Sequence, residues 1–355
     1  MKIKAYKYKI EVLTPVAILS GEKIQRFEIV KDGNKTFVLD FERMIRNEQA
    51  FVDILIKNPL LFQNSEEILN IFRRLNINYK NYIKYEINDY MRKNYEINEF
   101  IKSNGKPYIP GSSIKGAMRT NIIRGSKFGG NYISEVNSSI KNNKFRINTL
   151  EIEKNFLGDS YKSPFKFLRV SDTNLLEKKS LRVKPIEIYN LKTKRKVMNI
   201  LYSEVLPEKT VLHGEINLGF YDYLLEFSFK DEYMNLDILN DFILKLKSGV
   251  EKYINDEISI MKENHEKDLL GFYRSLQSYK LKENQVLLPL GFSTGFYSKT
   301  LVGKLRKEHV IYLKKVLGRR ANKYDPSLFP KTRRVINDGG VIKPLGWILM
   351  TITEK

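Results

Sequence analysis

Cysteine is missing altogether from this chain of 355 residues. Its absence excludes disulfides, thiolate nucleophiles, zinc ribbons and iron–sulfur clusters in one step. Histidine is scarce: His213, His265 and His309 stand far apart, and none belongs to an H-x-x-x-H or H-x-E signature. No metal site and no cofactor is therefore expected. No apolar run approaches the roughly 20 residues that span a bilayer. Residues Met1 to Lys9 alternate charge with bulk where a secretion signal would carry a continuous apolar segment, so the expected setting is the cytoplasm. Acid is the minority charge, with 41 Asp and Glu against 62 Lys and Arg, a net charge of +21. A positive field of that size draws in polyanions. Nucleic acid becomes the leading partner class, ahead of an anionic membrane surface.

What is present suffices for a core: 42% of the residues are hydrophobic, and the length favours two domains. Ala5 to Leu13 alternates as a half-buried strand, and Arg26 to Leu39 reads as a hairpin turning at Asp32-Gly33. From about 41 to 101 the pattern is helical, with Ile68, Leu69, Phe72 and Leu75 in register, and is taken as an insertion. Phe165 to Val170 is strand-like. The basic segment Lys178 to Lys196 is either a solvated loop or a hairpin facing RNA. Two strand-like runs lie within Val211 to Phe229, and the stripe Leu236, Leu239, Phe242, Leu246, Val250 and Tyr253 predicts an amphipathic helix, with more helix to about Tyr279. A strand at Val286 to Leu290, a basic helix from about Thr300 to Leu317 and a strand at Trp347 to Ile352 follow. Strands with helices between them, in both halves, give an α+β layout in two units, placed at 1–205 and 206–355.

Three segments carry chemistry. In Tyr108 to Thr120, Pro110 and Gly111 make a turn, Ser112 and Ser113 are helix-capping types, and Ile114, Met118 and Ile122 keep helical spacing. A helix start with free N–H groups suits phosphate. Lys115 and Arg119, stacked four residues apart, repel each other and oppose the helix dipole, which an anion would relieve. Gly116 costs roughly 1 kcal/mol of helix propensity and permits close backbone approach. The second segment, Leu290 to Thr300, has the wrong spacing for a P-loop, so nucleotide triphosphate binding is rejected. Its Phe292, Ser293, Thr294, Phe296 and Lys299 instead combine aromatics, hydroxyls and a cation, the makings of a single-strand site. Phe292 and Phe296 could equally plug the core. The third is the basic stretch from Lys304 to Arg334, in which the pairs Arg319-Arg320 and Arg333-Arg334 are candidate phosphate contacts. No pairing of general acid and base emerges. His213 sits in a strand as a core or interface residue, His265 and His309 are taken as surface residues, and Asp172 is read as a local turn former. No catalytic residue is assigned.

Ile109 to Thr120 closely resembles the I-P-G-S-S-x-K-G-A-x-R signature of the RAMP superfamily. Leu13-Thr14-Pro15-Val16, Val170-Ser171-Asp172-Thr173, Glu204 to Ile216, the Gly291 to Thr300 loop, Phe329 to Arg333 and Pro344 to Trp347 resemble further motifs of that family, in order and across nearly the whole chain. The set is most similar to the fifth-subunit family of type III-A (Csm) CRISPR effector complexes. That resemblance implies two ferredoxin-like (RRM-like) units with helical insertions. It also implies a non-catalytic role at the 3′ end of the CRISPR RNA, other Csm subunits as partners (the repeated backbone subunit above all), and support for 3′ trimming by a separate nuclease. The family's first motif often carries a histidine where this chain has Ala17, so any role of that histidine lapses. The alternative is a metal-independent RAMP-type endoribonuclease using His213 or His309.

Overall fold

The computed structural model describes residues 4–33, 35–63, 65–87, 96–142, 147–219, 235–317 and 329–355. The chain opens with β1 (Lys4–Val12), whose alternation buries Tyr8, Ile10 and Val12 and leaves Lys7 and Lys9 outside. β2 (Leu19–Ile24), β3 (Ile29–Asp32) and β4 (Lys35–Leu39) follow, the last two paired as a hairpin. Helices α1 (Phe41–Asn47), α2 (Gln49–Lys57) and α3 (Ser65–Arg74) then close over a small core of their own, built on Met44, Phe51, Ile68 and Phe72. After β5 (Ile83–Ile87), β6 (Ile97–Phe100), β7 (Lys102–Ser103) and β8 (Lys106–Pro107) come α4 (Gly111–Gly125), α5 (Lys127–Lys141) and α6 (Thr149–Leu157). β9 (Leu168–Val170), β10 (Arg182–Asn190), β11 (Arg195–Val205) and β12 (Val211–Leu218) follow. The basic segment 178–196 is thus mostly a hairpin, β10 against β11. The stripe from Leu236 gives a 3-10 turn and then α7 (Phe242–Glu263), followed by α8 (Lys267–Gln277) and β13 (Gln285–Pro289). The basic helix α9 (Lys307–Leu317) starts seven residues later than Thr300, and β14 (Thr332–Asp338), β15 (Val341–Pro344) and β16 (Trp347–Glu354) close the order. The second strand expected before Phe229 falls outside the described residues.

The arrangement is α+β. One sheet runs β13-β16-β1-β12-β9 and another β15-β14-β10-β11-β6-β2. Both draw strands from either side of residue 205: β1 pairs antiparallel with β12 and β16, and β14 lies beside β10. A division into 1–205 and 206–355 therefore cuts across both sheets. The main core fills the space between the five-stranded sheet and helices α4 and α7. Those helices cross so closely that a Cβ on Gly125 would lie 1.8 Å from the Lys245 carbonyl oxygen, and one on Gly249 1.8 Å from that of Asn121. Glu204 ties the inserted segment down: 1% exposed, it accepts from the Phe100 N–H at 2.9 Å and from the Tyr85 hydroxyl and Lys102 Nζ, both at 2.5 Å. Among the described residues no helix is long and apolar enough to cross a membrane.

Candidate nucleic-acid interface

The start of α4 is built differently from its sequence expectation. Pro110 is the N-cap, Ser112 and Ser113 lie inside the first turn, and neither caps. The Gly111 N–H donates instead to Asp172 Oδ1 at 2.7 Å, and the Ser113 N–H returns to the Pro110 carbonyl at 3.0 Å. Asp172 is therefore not a local turn former; its carboxylate reaches across to satisfy the helix start, where negative charge is favoured. The approach is possible because Gly111 has no side chain: a Cβ would stand 2.1 Å from the Val170 carbonyl oxygen. Ile109 and Thr173 exchange two more bonds, Thr173 N–H to the Ile109 carbonyl at 3.0 Å and Ile109 N–H to Thr173 Oγ1 at 2.9 Å. The two motifs at 109–120 and 170–173 form one junction.

The glycine loop is pinned from two directions. Phe292 N–H donates to the Ala17 carbonyl and Leu290 N–H to the Gly346 carbonyl, both at 2.7 Å, and Trp347 N–H donates to Thr14 Oγ1 at 2.9 Å. Gly291 (φ +97°) and Gly346 (φ +83°) adopt the left-handed backbone that these tight approaches demand. Thr294 is consumed inside the loop: it is 8% exposed, and its hydroxyl accepts from Ser298 Oγ at 2.9 Å. Phe292, half-buried, packs against a small cluster of Ile186, Ile336 and Leu345 and so serves the core in part. Phe296 does not. It is 40% exposed, edge-on to Tyr297 and Phe329. Ser293 Oγ is buried without a hydrogen-bond partner among the described residues.

These two segments face each other across a cleft of about 460 Å³. Ser112, Ser113, Gly116, Ala117 and Thr120 line its helical wall, and Gly291, Phe292, Ser298 and Lys299 the opposite one. The helical wall is wide open because its side chains are small. Gly111 and Gly125 have packing reasons, but a Cβ on Gly116 would meet no described atom within 4 Å. Lys299 finds no acceptor among the described residues, and desolvation pulls its ammonium down from the usual lysine range.

Other predicted contacts lie elsewhere. Lys115 and Arg119 point along the neighbouring flank of α4, and Arg119 is already neutralised by Glu153 and lies 5.3 Å over the Phe165 ring. Arg333 is not a phosphate contact. Its guanidinium is buried against Glu257 at 3.0 Å and donates to the Pro330 carbonyl at 2.8 Å. Arg334, on the other face of β14, is half-buried, and one of its nitrogens, Nη1, lacks a partner among the described residues. Arg319 and Arg320 lie outside the described residues. Sequence reasoning missed Arg124, which donates to Asn121 Oδ1 at 2.6 Å and to the Tyr297 and Thr300 carbonyls at 2.7 and 2.5 Å, fastening the loop to α4. Its one signal is that Asn121 and Arg124 fall among the apolar positions of the helix.

The RAMP superfamily model matches residues 9–263. The chain belongs to the RAMP superfamily. A curated relative, "CRISPR system Cms protein Csm5" of Methanocaldococcus jannaschii, is 25% identical over 381 residues, covering 98% of this chain and 88% of that one. Among solved structures, a chain of the cryo-EM structure of a Csm-crRNA-target RNA ternary complex in a type III-A CRISPR-Cas system matches with a TM-score of 0.69 at 22% identity, over 100% of both chains. The crystal structure of T. onnurineus Csm5 matches with a TM-score of 0.62 at 20% identity, over 96% of this chain and 99% of that one.

In this RAMP chain one histidine is placed against expectation. His309 is 5% exposed, not a surface residue. Its Nδ1 accepts from the Arg306 N–H at 3.0 Å, so Nε2 carries the proton that bonds Asn137 Oδ1 at 2.6 Å. Both ring nitrogens are engaged. Burial pulls its pKa down, so the unfolded chain binds the proton better than the native one. Stability from this site is complete above the unfolded value of about 6.5 and falls as the pH drops through it. The melting temperature of the wild type is expected to fall more steeply between pH 7 and pH 5 than that of His309→Gln; equal slopes would refute this. His265 is exposed, as expected, but in the turn between α7 and α8. His213 is exposed on β12, opposite Lys9 of β1, which removes the core alternative of its expectation and leaves the interface one.

Proposed function

We propose that this RAMP chain is a Csm5-type subunit of a type III-A CRISPR effector complex that holds single-stranded CRISPR RNA without cutting it. The observation that carries the RNA reading is the convergence of the small-residue wall of α4 and the 290–299 loop on one cleft, with no acceptor for Lys299 among the described residues and Phe296 exposed on the same loop. Likeness to Csm5 chains along the whole length supports membership of the complex and, with it, a cytoplasmic setting. The finer role follows from the resemblance: a cap at the 3′ end of the guide, next to the repeated backbone subunit, on which a separate trimming nuclease depends. Ferredoxin-like units belong to the same reading. The order β16-β1-β12-β9, with α4 and α7 on one face, supports one such unit, and the six-stranded sheet would provide the second.

Gly116→Ala separates ligand from fold. With open space at the Cβ, alanine is expected to raise the stability of the free protein by about 0.5–1 kcal/mol, while weakening binding to single-stranded RNA because the new methyl group stands in the cleft. Unchanged RNA affinity in a stabilised variant would remove the cleft from the reading.

One observation favours a second reading, a RAMP endoribonuclease: His213 is exposed with Lys9 directly across the strand pair. Incubation with labelled repeat RNA decides it. Site-specific cuts that vanish in His213→Ala would replace the non-catalytic assignment.

A further inference from the structure

Beside the cleft wall, the neighbouring flank of α4 and strand β9 carry cations that the described residues do not neutralise. Lys115 is half-buried near Arg119 and Arg169, and no acceptor for its ammonium is present among the described residues. Arg169, exposed on β9, has no acidic partner among them either. Two acids of this shoulder are already committed: Glu153 to Arg119, and Asp159 to the N–H groups of Tyr161 and Lys162, both at 3.0 Å. What remains outward is Lys162 and Arg169 with the half-buried Lys115, and the 161–167 segment that carries an exposed aromatic joins them through Phe165, over which Arg119 lies. Tyr161 is 76% exposed, with Lys166 Nζ 4.9 Å from its ring centroid. An aromatic this bare, among cations, has the composition of a stacking platform for unpaired bases.

We infer that this shoulder is a second contact surface for a single-stranded polynucleotide, Lys115 and Arg169 taking a backbone phosphate and Tyr161 stacking a base. The inference rests on the polynucleotide reading of the cleft and extends it: a strand leaving the cleft crosses the bare backbone at Gly116 and reaches the shoulder on the adjoining flank of α4. Burial lowers the Lys115 pKa and the two arginines lower it further, costs that a bound phosphate would offset.

The test uses the full chain and fluorescein-labelled oligouridine. The single native tryptophan, Trp347, is 1% exposed, so in Tyr161→Trp the new indole at the surface reports this shoulder. RNA is expected to quench that emission in step with the rise in anisotropy. Arg169→Ala is expected to lower the salt slope of binding by about 0.7, the share of one single-strand phosphate. Anisotropy that reports binding, with unquenched emission and a wild-type slope in Arg169→Ala, would overturn the inference and leave the cleft reading standing. No binding by the wild-type protein at low ionic strength would end both.

Discussion

Glu257→Ala is expected to cost about 3–5 kcal/mol of folding stability, the usual consequence of leaving one buried charge without its partner. Glu257 on α7 and Arg333 on β14 meet at 3.0 Å with side chains 2% and 5% exposed, so neither has water to fall back on. Burial raises the Glu257 pKa and the guanidinium opposes that rise. The pair also joins a helix of the main core to a strand of the six-stranded sheet, so its loss loosens the packing between layers. The double variant Glu257→Leu, Arg333→Met should recover most of the loss, because an apolar pair avoids both desolvation penalties. Denaturant midpoints of the three proteins check this. A single variant as stable as the wild type would show that the charge finds another partner.

Phe296→Ala is expected to weaken binding of single-stranded RNA by about 1–3 kcal/mol, roughly 5- to 150-fold, with little change in melting temperature. Phe292→Ala should differ in the melt. It opens a hole against Ile186, Ile336 and Leu345 and lowers the melting temperature, and because the ring also lines the cleft its loss should weaken RNA binding as well. Neither substitution removes a cation, so the salt dependence of binding should stay at the wild-type slope. Fluorescence anisotropy across a salt series, beside thermal melts, separates the two residues. An equal drop in stability in both would make Phe296 another core aromatic despite its 40% exposure.

The two phenylalanines show where sequence reading stops. Both sit in the same loop four residues apart, with the same flanking glycines and hydroxyls, and no local rule separates them. What separates them is that Ala17, distant in sequence, accepts the Phe292 amide and turns that side chain onto the six-stranded sheet. The arginines repeat the lesson. Arg333 and Arg334 are adjacent and basic, yet strand alternation sends one into the core against Glu257 and leaves the other half-buried on the opposite face. Asp172 looked like a turn residue because its sequence neighbours permit a local bond; the amide it serves, that of Gly111, arrives from another element.

Periodicity and composition by themselves determined the strong positive charge, the α+β character, β1, the hairpin of β3 and β4, the long amphipathic helix and the family resemblance, because those properties are local or summed over the chain. Tertiary structure alone decided which cations remain available and which are spent, since an ion pair forms between elements that sequence spacing does not bring together. It also decided that the α4 wall and the glycine loop share one cleft. That meeting depends on β1, β12 and β16 pairing in one sheet beneath α4 and α7, and such pairing is set by the packing of the whole core rather than by any segment within it.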